Sequence, residues 1–308
     1  MVKSHGFRTI ENKIQHFLRQ VRIKCGRILL GKHSDIFALV SVPLPNIEKS
    51  IVNVSLRFKL AITAVIRNEA ANILEWVDFH LLAGVDHIYL YDNGSTDNTC
   101  DVLKEYVSSG RVTVTLWPTA FYHATQIFAY AHSAVLHSDE VEWMAFIDAD
   151  EFLFPTQALD LKDVLESLKE FSALYIPWRS FGPSGHATPP STGVIWSYTE
   201  MADLDKADPG MRGELTKYKT IARLKDVTSI KIHTTLTNGK TLLDPEAIYL
   251  NHYITISEIE FANKLENHQL EQTLMNNPWK IIRIRMFQFL LLNTKIDIEI
   301  QEFLKRKS

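Results

Sequence analysis

The sequence predicts an α/β domain: a mainly parallel central sheet with helices on both faces, then a smaller mixed β region carrying long loops. Three observations predict it. Between residues 58 and 154, short apolar runs alternate with segments of helical period. Polar turn residues punctuate the junctions between them. After residue 172 the rhythm changes to short strands separated by loops rich in Gly, Pro and Asp.

The elements follow in order. "LAITAVI" (60–66) is a β-rich run, and "AANILEWVDFHLLAG" (70–84) spaces Ile73, Leu74, Val77 and Leu81 as one helical face ending at Gly84. "DHIYLYD" (86–92) is a strand. "TDNTCDVLKEYVSSG" (96–110) is a helix that Thr96 or Asp97 can cap and Gly110 can end. "RVTVTLW" (111–117) alternates as a strand, "ATQIFAYAHSAVLHS" (124–138) is helical, and "EWMAFID" (142–148) is a buried strand. Beyond them lie the strand candidates "ALYIPW", "YKTIARL", "SIKIH" and "EAIYLNHY". Loops as long as "FGPSGHATPPSTG" and "MADLDKADPGMRGE" are often functional.

The 308 residues, 46% of them hydrophobic, suffice for one large core with a small appendage. A net charge of −3 gives no bias toward nucleic acid. Two cysteines, Cys25 and Cys100, offer no disulfide framework and suit a reducing compartment. No apolar stretch approaches transmembrane length and no signal-peptide core is present, so a soluble, cytoplasmic protein is expected. The ends are basic: residues 1–33 hold eight Lys or Arg against Glu11, and "WKIIRIRMFQFL" (279–290) mixes Lys280, Arg283 and Arg285 with large apolar residues. Such segments either lie on anionic membranes or pack on a domain with their charges outward. The expected division is an N-terminal helical or linker extension (1–57), a central domain (58–270) and a basic amphipathic C-terminal segment (271–308).

In sheets of this kind ligands gather at the carboxyl edges of the strands. The first edge holds Arg67, Asn68 and Glu69, which either cap the next helix or face a ligand. The second, "YDNGSTDNT" (91–99), places Asp92 and Asn93 before a turn; capping explains Gly94 and Thr96 or Asp97 but not Asp92. The third is "FIDADEFLF" (146–154). On an extended backbone Asp148 and Asp150 point the same way and repel unless a cation lies between them. Hard oxygen ligands suit Mg²⁺ or Mn²⁺, which stabilise a diphosphate leaving group. An isolated DxD is equally an acidic turn paired with Lys or Arg.

The three edges in this order resemble the GT-A (Rossmann-like) nucleotide-sugar glycosyltransferases. The opening is similar to glycosyltransferase family 2, and "RNEAANILEWVDFHLLAGVDHIYLYDNGSTD", "WMAFIDADEFLF" and "LNHYITIS" resemble the family 92-like subgroup. The likeness spans roughly residues 58–270 and is dense over 60–154. It implies a metal-dependent, inverting transfer of a hexosyl group from a nucleotide-diphosphate sugar, UDP-linked, to a glycan or lipid-linked acceptor. It places Arg67, Asn68, Glu69, Asp92, Asn93 and Asp148 at the nucleotide, and Asp148, Asp150 and His252 at Mn²⁺ or Mg²⁺. A core histidine is the other reading of His252. The subgroup's basic residue after His-Tyr is missing, since Thr255-Ile256-Ser257 stand there. Lys217, Lys219, Lys231 and Lys264 are the substitutes for contact with the diphosphate. Trp178, Phe181 and His186 are assigned to the acceptor, with Trp178 equally a core residue. Glu151, Asp203, Asp205, Asp208 and Glu214 are the base candidates. The competing functions are a binding module that has lost turnover and a DxD phosphoryl-transfer hydrolase.

Overall fold

The computed structural model describes residues 42–44, 56–118, 122–267 and 278–308. The basic stretch 1–33 and most of the expected N-terminal extension lie outside the described residues. The main sheet is built from β1 (Phe58–Ile66), β2 (His87–Asp92), β3 (Val112–Leu116), β4 (Val141–Phe146), β5 (Glu151–Pro155), β6 (Ala173–Ser180), β7 (Tyr218–Arg223), β8 (Thr241–Leu243) and β9 (Ile248–His252). The principal helices are α1 (Ile73–Leu82), α2 (Tyr122–Leu136), α3 (Leu161–Ser167), α4 (Pro209–Leu215), α5 (Glu258–Asn267), α6 (Pro278–Leu290) and α7 (Glu299–Lys307).

The strand order is β3-β2-β1-β4-β7-β6-β9-β5, with β8 beside the first half of β6. Strands β3, β2, β1 and β4 are mutually parallel. β7 runs antiparallel to both β4 and β6, and β9 pairs parallel with β6 and antiparallel with β5. The expected α/β class with a mainly parallel centre and a mixed extension is therefore what the chain forms. The order turns about β1, with β2 on one side and β4 on the other, so their carboxyl ends open on a common crevice.

Both faces of the parallel half are covered, which is why its strands read as continuous apolar runs. Leu60, Ile62, Ala64 and Ile66 of β1 join Trp143, Ala145 and Ile147 in the core on the α1 side. Ala61, Met144 and Phe146 face the α2 side with Ile127, Tyr130 and Ala134. That alternation fixes which way each residue at the end of β4 points.

Helix α1 grips the start of β5. Trp76 Nε1 donates to the Glu151 carbonyl at 2.7 Å. His80 Nε2 accepts the Leu153 N–H at 3.1 Å, which leaves Nδ1 to donate to the Trp76 carbonyl at 2.8 Å. Gly84 follows the helix with φ 104°, and a Cβ there would come within 2.1 Å of the Asp160 carboxylate that caps α3. The helix expected over 96–110 is instead two one-turn pieces, Thr99–Val102 and Lys104–Ser108, of which Thr99 and Leu103 are buried while Val102 and Tyr106 pack on the core part-exposed.

Residues 278–308 are built into the domain rather than appended to it. Ile300 and Phe303 of α7 are fully buried, with the Phe303 ring 5.9 Å from Phe79 and 5.8 Å from Phe154. Met286 and Leu290 of α6 pack on Met211 and Leu215 of α4. The apolar residues of this basic stretch thus pack on the rest of the domain. Among the described residues no helix is long and apolar enough to cross a membrane.

Two measurements check this packing. Phe303→Ala is expected to cost about 3–5 kcal/mol in urea unfolding, whereas Leu292→Ala, at an 82% exposed position, stays within about 0.5 kcal/mol. Burial holds the His80 imidazole down at about 3 from an ordinary 6.5. The unfolded chain takes up that proton first, so stability is full above pH 6.5 and falls as pH drops toward 3. His80→Gln should make the fall between pH 6 and 4 shallower by about 1.4 kcal/mol per pH unit.

Candidate active site

The strand pattern ends at Phe146, and residues 147–150 turn before β5 begins at Glu151. Alternation sends Asp148 to the α2 side, as Met144 and Phe146 before it. There Gln126 and Tyr130, one helical turn apart, both donate to its Oδ1; Tyr130 does so at 3.1 Å and also bonds the Ile147 carbonyl at 2.9 Å. Lys219 completes the grip. Thr220 of β7 stands opposite Phe146, so its neighbour Lys219 emerges beside the turn, with Nζ 2.6 Å from Asp148 Oδ1 and 3.6 Å from Glu151 Oε1. Its side chain is 1% exposed.

Asp150 turns the other way. Its carbonyl accepts the Tyr253 N–H at 2.9 Å, and its Oδ1 lies 3.6 Å from His252 Nε2. His252 is aligned with Glu151 across the β9–β5 pair and with Ser180 across β9–β6. Asp150, Glu151 and His252 each offer a ligand atom, all within 4.8 Å of one another. Two carboxylates and an imidazole form a donor set that suits Mn²⁺ or Mg²⁺. The structure thus brings Asp150 and His252 together with Glu151 adjoining, and turns Asp148 toward Gln126, Tyr130 and Lys219. The backbone is not extended through the motif, so the two aspartates do not share a face.

Glu151 is fully buried. Its Oε2 accepts the Asp148 N–H at 2.9 Å and its Oε1 accepts Trp178 Nε1 at 2.7 Å. Burial pushes its carboxyl well above the ordinary value; Lys219 opposes that rise, and Asp148 and Asp150 add to it. Burial also acts to raise Asp148, but Lys219 outweighs it and holds the carboxyl below 3.8. The Lys219 ammonium stays above 10.5 because Asp148 and Glu151 outweigh its burial.

The other two edges are tied to each other. Asn68, at φ 56°, donates its N–H to Ser95 Oγ at 2.9 Å and accepts the Thr96 N–H at 2.7 Å. Asp92 is buried and accepts the Ser95 N–H at 3.1 Å. Asn93 donates to the Trp117 carbonyl at 2.8 Å. These side chains build the loops, which leaves Arg67, exposed beside them, as the group free to reach outward from the first edge. Glu69 is half-buried next to it.

The remaining candidates sit in varied surroundings. Glu151 cannot meet an acceptor, because it is enclosed and both its oxygens are engaged. Trp178 is held against His252, with ring centres 4.1 Å apart, and Phe181 is buried against Tyr253 at 5.0 Å. Both side chains are buried. His186 is half-buried, its Nε2 3.2 Å from the Ser197 carbonyl. Asp208 caps α4 through the Met211 N–H at 2.9 Å, Glu214 pairs with Lys217, and Asp203 lies 3.4 Å from Lys206. Asp205 is almost fully exposed, 4.0 Å from Arg212. Of the proposed diphosphate lysines, Lys219 is taken by Asp148, Lys231 is half-buried in a hairpin, and the Lys264 side chain lies outside the described residues. Sequence reasoning missed Gln126, Tyr130 and the role of Lys219. The i, i+4 spacing of Gln126 and Tyr130 was the available signal; the register of β7 was not readable.

Residues 63–285 match the model of glycosyltransferase family 92. A family 92 protein of Oryza sativa subsp. japonica is 35% identical over 144 residues, covering 46% of this chain and 24% of its own. The Arabidopsis thaliana galactan β-1,4-galactosyltransferase GALS2 is 28% identical over 115 residues, covering 34% of this chain and 21% of its own. Across the curated relatives the matched stretches take up 21% to 42% of the relative's length, so the chain spans less than half of the proteins it matches. Among solved structures, S. aureus TarS aligns with a TM-score of 0.37 at 13% identity, over 76% of this chain and 70% of that one; at that level the likeness adds nothing to the family match.

Lys219→Met tests the charge balance of the turn. The substitution leaves Asp148 without its cation, and about 3 kcal/mol of stability should be lost at pH 7, the lower end for a broken buried pair because Asp148 keeps 31% exposure. A carboxyl held low stabilises the fold above pH 3.8 and an ammonium held high does so below 10.5. The deficit should therefore be largest between those limits and shrink at pH 3, as read by urea unfolding at the two pH values.

Proposed function

The chain belongs to glycosyltransferase family 92, and on that premise we propose that it transfers a sugar from a nucleotide-diphosphate donor, UDP-linked, to a glycan or lipid-linked acceptor. The observation that carries the reading is the meeting of Asp150, Glu151 and His252 at the carboxyl edge of the sheet, beside the loops that follow β1 and β2. Asp150 and His252 would hold Mn²⁺ or Mg²⁺, with the Glu151 carboxylate adjoining. Bound there, the ion would offset the charge that develops on a departing diphosphate.

The protein's own groups do the rest. Arg67 is poised to meet the anionic nucleotide, and the loop carrying Asp92 and Ser95 shapes the wall against which base and ribose would lie. Tyr130, Gln126 and Lys219 fix Asp148 rigidly, so no reorganisation is needed when a donor arrives. A hexose donor and a polysaccharide acceptor are supported by the galactosyltransferase named among the relatives. Inversion at the anomeric carbon follows from the resemblance to inverting families rather than from a located base. A cytoplasmic setting with peripheral membrane contact belongs to the same proposal; Arg283 and Arg285 of α6 are the described basic residues that would make it.

The deciding experiment is a screen of UDP- and GDP-sugars with Mn²⁺, reading release of the nucleoside diphosphate. One UDP-sugar should stand out. In calorimetry with UDP and Mn²⁺, Asp150→Ala should bind at least about tenfold more weakly than wild type. Equal binding by the two proteins would remove Asp150 from the metal site.

A further inference from the structure

A glutamate in the middle of a core needs a reason, since an ionisable group is costly to bury. Glu151 is fully enclosed, and each of its two oxygens takes an N–H: Oε2 that of Asp148, Oε1 that of the Trp178 indole. A glutamine could not do this. It has one acceptor oxygen, and its amide would set N–H against N–H at the other contact. An apolar residue would leave both donors unsatisfied, at a cost for each buried group.

The two bonds run to the two arms of the metal-binding set. Through the Asp148 N–H, Glu151 closes the turn that aims Asp150; the Glu151 N–H returns to the Asp148 carbonyl at 3.1 Å and tightens it further. Through the indole N–H it holds Trp178, whose ring lies 4.1 Å from that of His252. Trp76 bonds the Glu151 carbonyl from α1 at 2.7 Å, so the residue is anchored to the scaffold as well. Glu151 thus bonds a neighbour of each group in the His252–Asp150 pair, whose separation is 3.6 Å.

We propose that Glu151 is a positioning residue, whose buried carboxylate sets the spacing of Asp150 and His252 by bonding the Asp148 N–H on one side and the Trp178 indole on the other. This rests on the reading of Asp150 and His252 as metal ligands. It gives Glu151 a task distinct from proton transfer to an acceptor. It also gives Trp178 one, as the strut that carries the constraint to His252.

The test is Mn²⁺ binding by the full chain without nucleotide, followed by electron paramagnetic resonance. Glu151→Gln should weaken Mn²⁺ by about 10–100-fold, the range for groups that orient metal ligands. Trp178→Phe keeps a ring against His252 but removes the donor, and should lose part of the same affinity. The double variant should bind no worse than Glu151→Gln alone, because both changes break one chain of contacts. Far-UV circular dichroism and the urea midpoint identify any variant that fails to fold, and Trp178→Phe, the milder change, then carries the test. Wild-type binding retained in both variants, or losses that simply add, would overturn the inference while leaving the metal reading intact. No Mn²⁺ binding by wild type would overturn the metal reading and this inference with it.

Discussion

Three carboxylates crowd into four residues at the end of β4, and a single buried ammonium, Lys219, lies against two of them. The arrangement beyond β4 depends on that contact. Without a cation, Asp148 and Glu151 would repel each other at a site where water is scarce. With it, Asp148 can stay ionised while the chain turns sharply, sends Asp150 toward β9 and begins β5 with Glu151 inside the core. The ammonium comes from an antiparallel strand, β7, inserted between the parallel half of the sheet and the β6-β9-β5 extension. The insertion thus does two jobs. It joins the two halves, and it delivers a positive charge that lets the acidic turn exist.

A second constraint acts at the neighbouring loops. Asn68 and Asp92 bond Ser95, Asn68 bonds Thr96, and Asp97 accepts the Ala70 N–H at 3.2 Å. Polar residues that look like ligand contacts in a linear reading are largely engaged with each other. The cost of ordering those loops is met by the loops' own hydrogen bonds before a donor arrives, which is what a preorganised binding edge requires. Arg67 stands exposed beside this network.

Much was legible before the fold. The β-rich run "LAITAVI", the alternation of "RVTVTLW" and the helical face of Ile73 and Val77 are local patterns. They gave the parallel half and its edges, and with them Asp148 and Asp150, whereas His252 entered through the resemblance of "LNHYITIS" to the family 92-like subgroup. What was not legible arose from contacts between distant segments. Trp178 reads equally as an acceptor-side aromatic or a core residue, and the bond that holds it inside comes from Glu151, 27 residues away. The basic stretch 279–290 left membrane contact and packing on the domain both open, and Met286, Leu290 and Phe303 complete cores assembled from other parts of the chain.

By itself the sequence determined the order of elements and the residue types at each carboxyl edge, because strand and helix periods and turn chemistry act over a few residues. The tertiary structure decided the partners. Register placed Lys219 beside Asp148 and His252 opposite Glu151, and helix packing brought Trp76, Gln126 and Tyr130 to the same turn. The physical reason is that a buried charge is tolerated only where the folded chain supplies its counter-charge and donors, and those came here from strands and helices far apart in the chain.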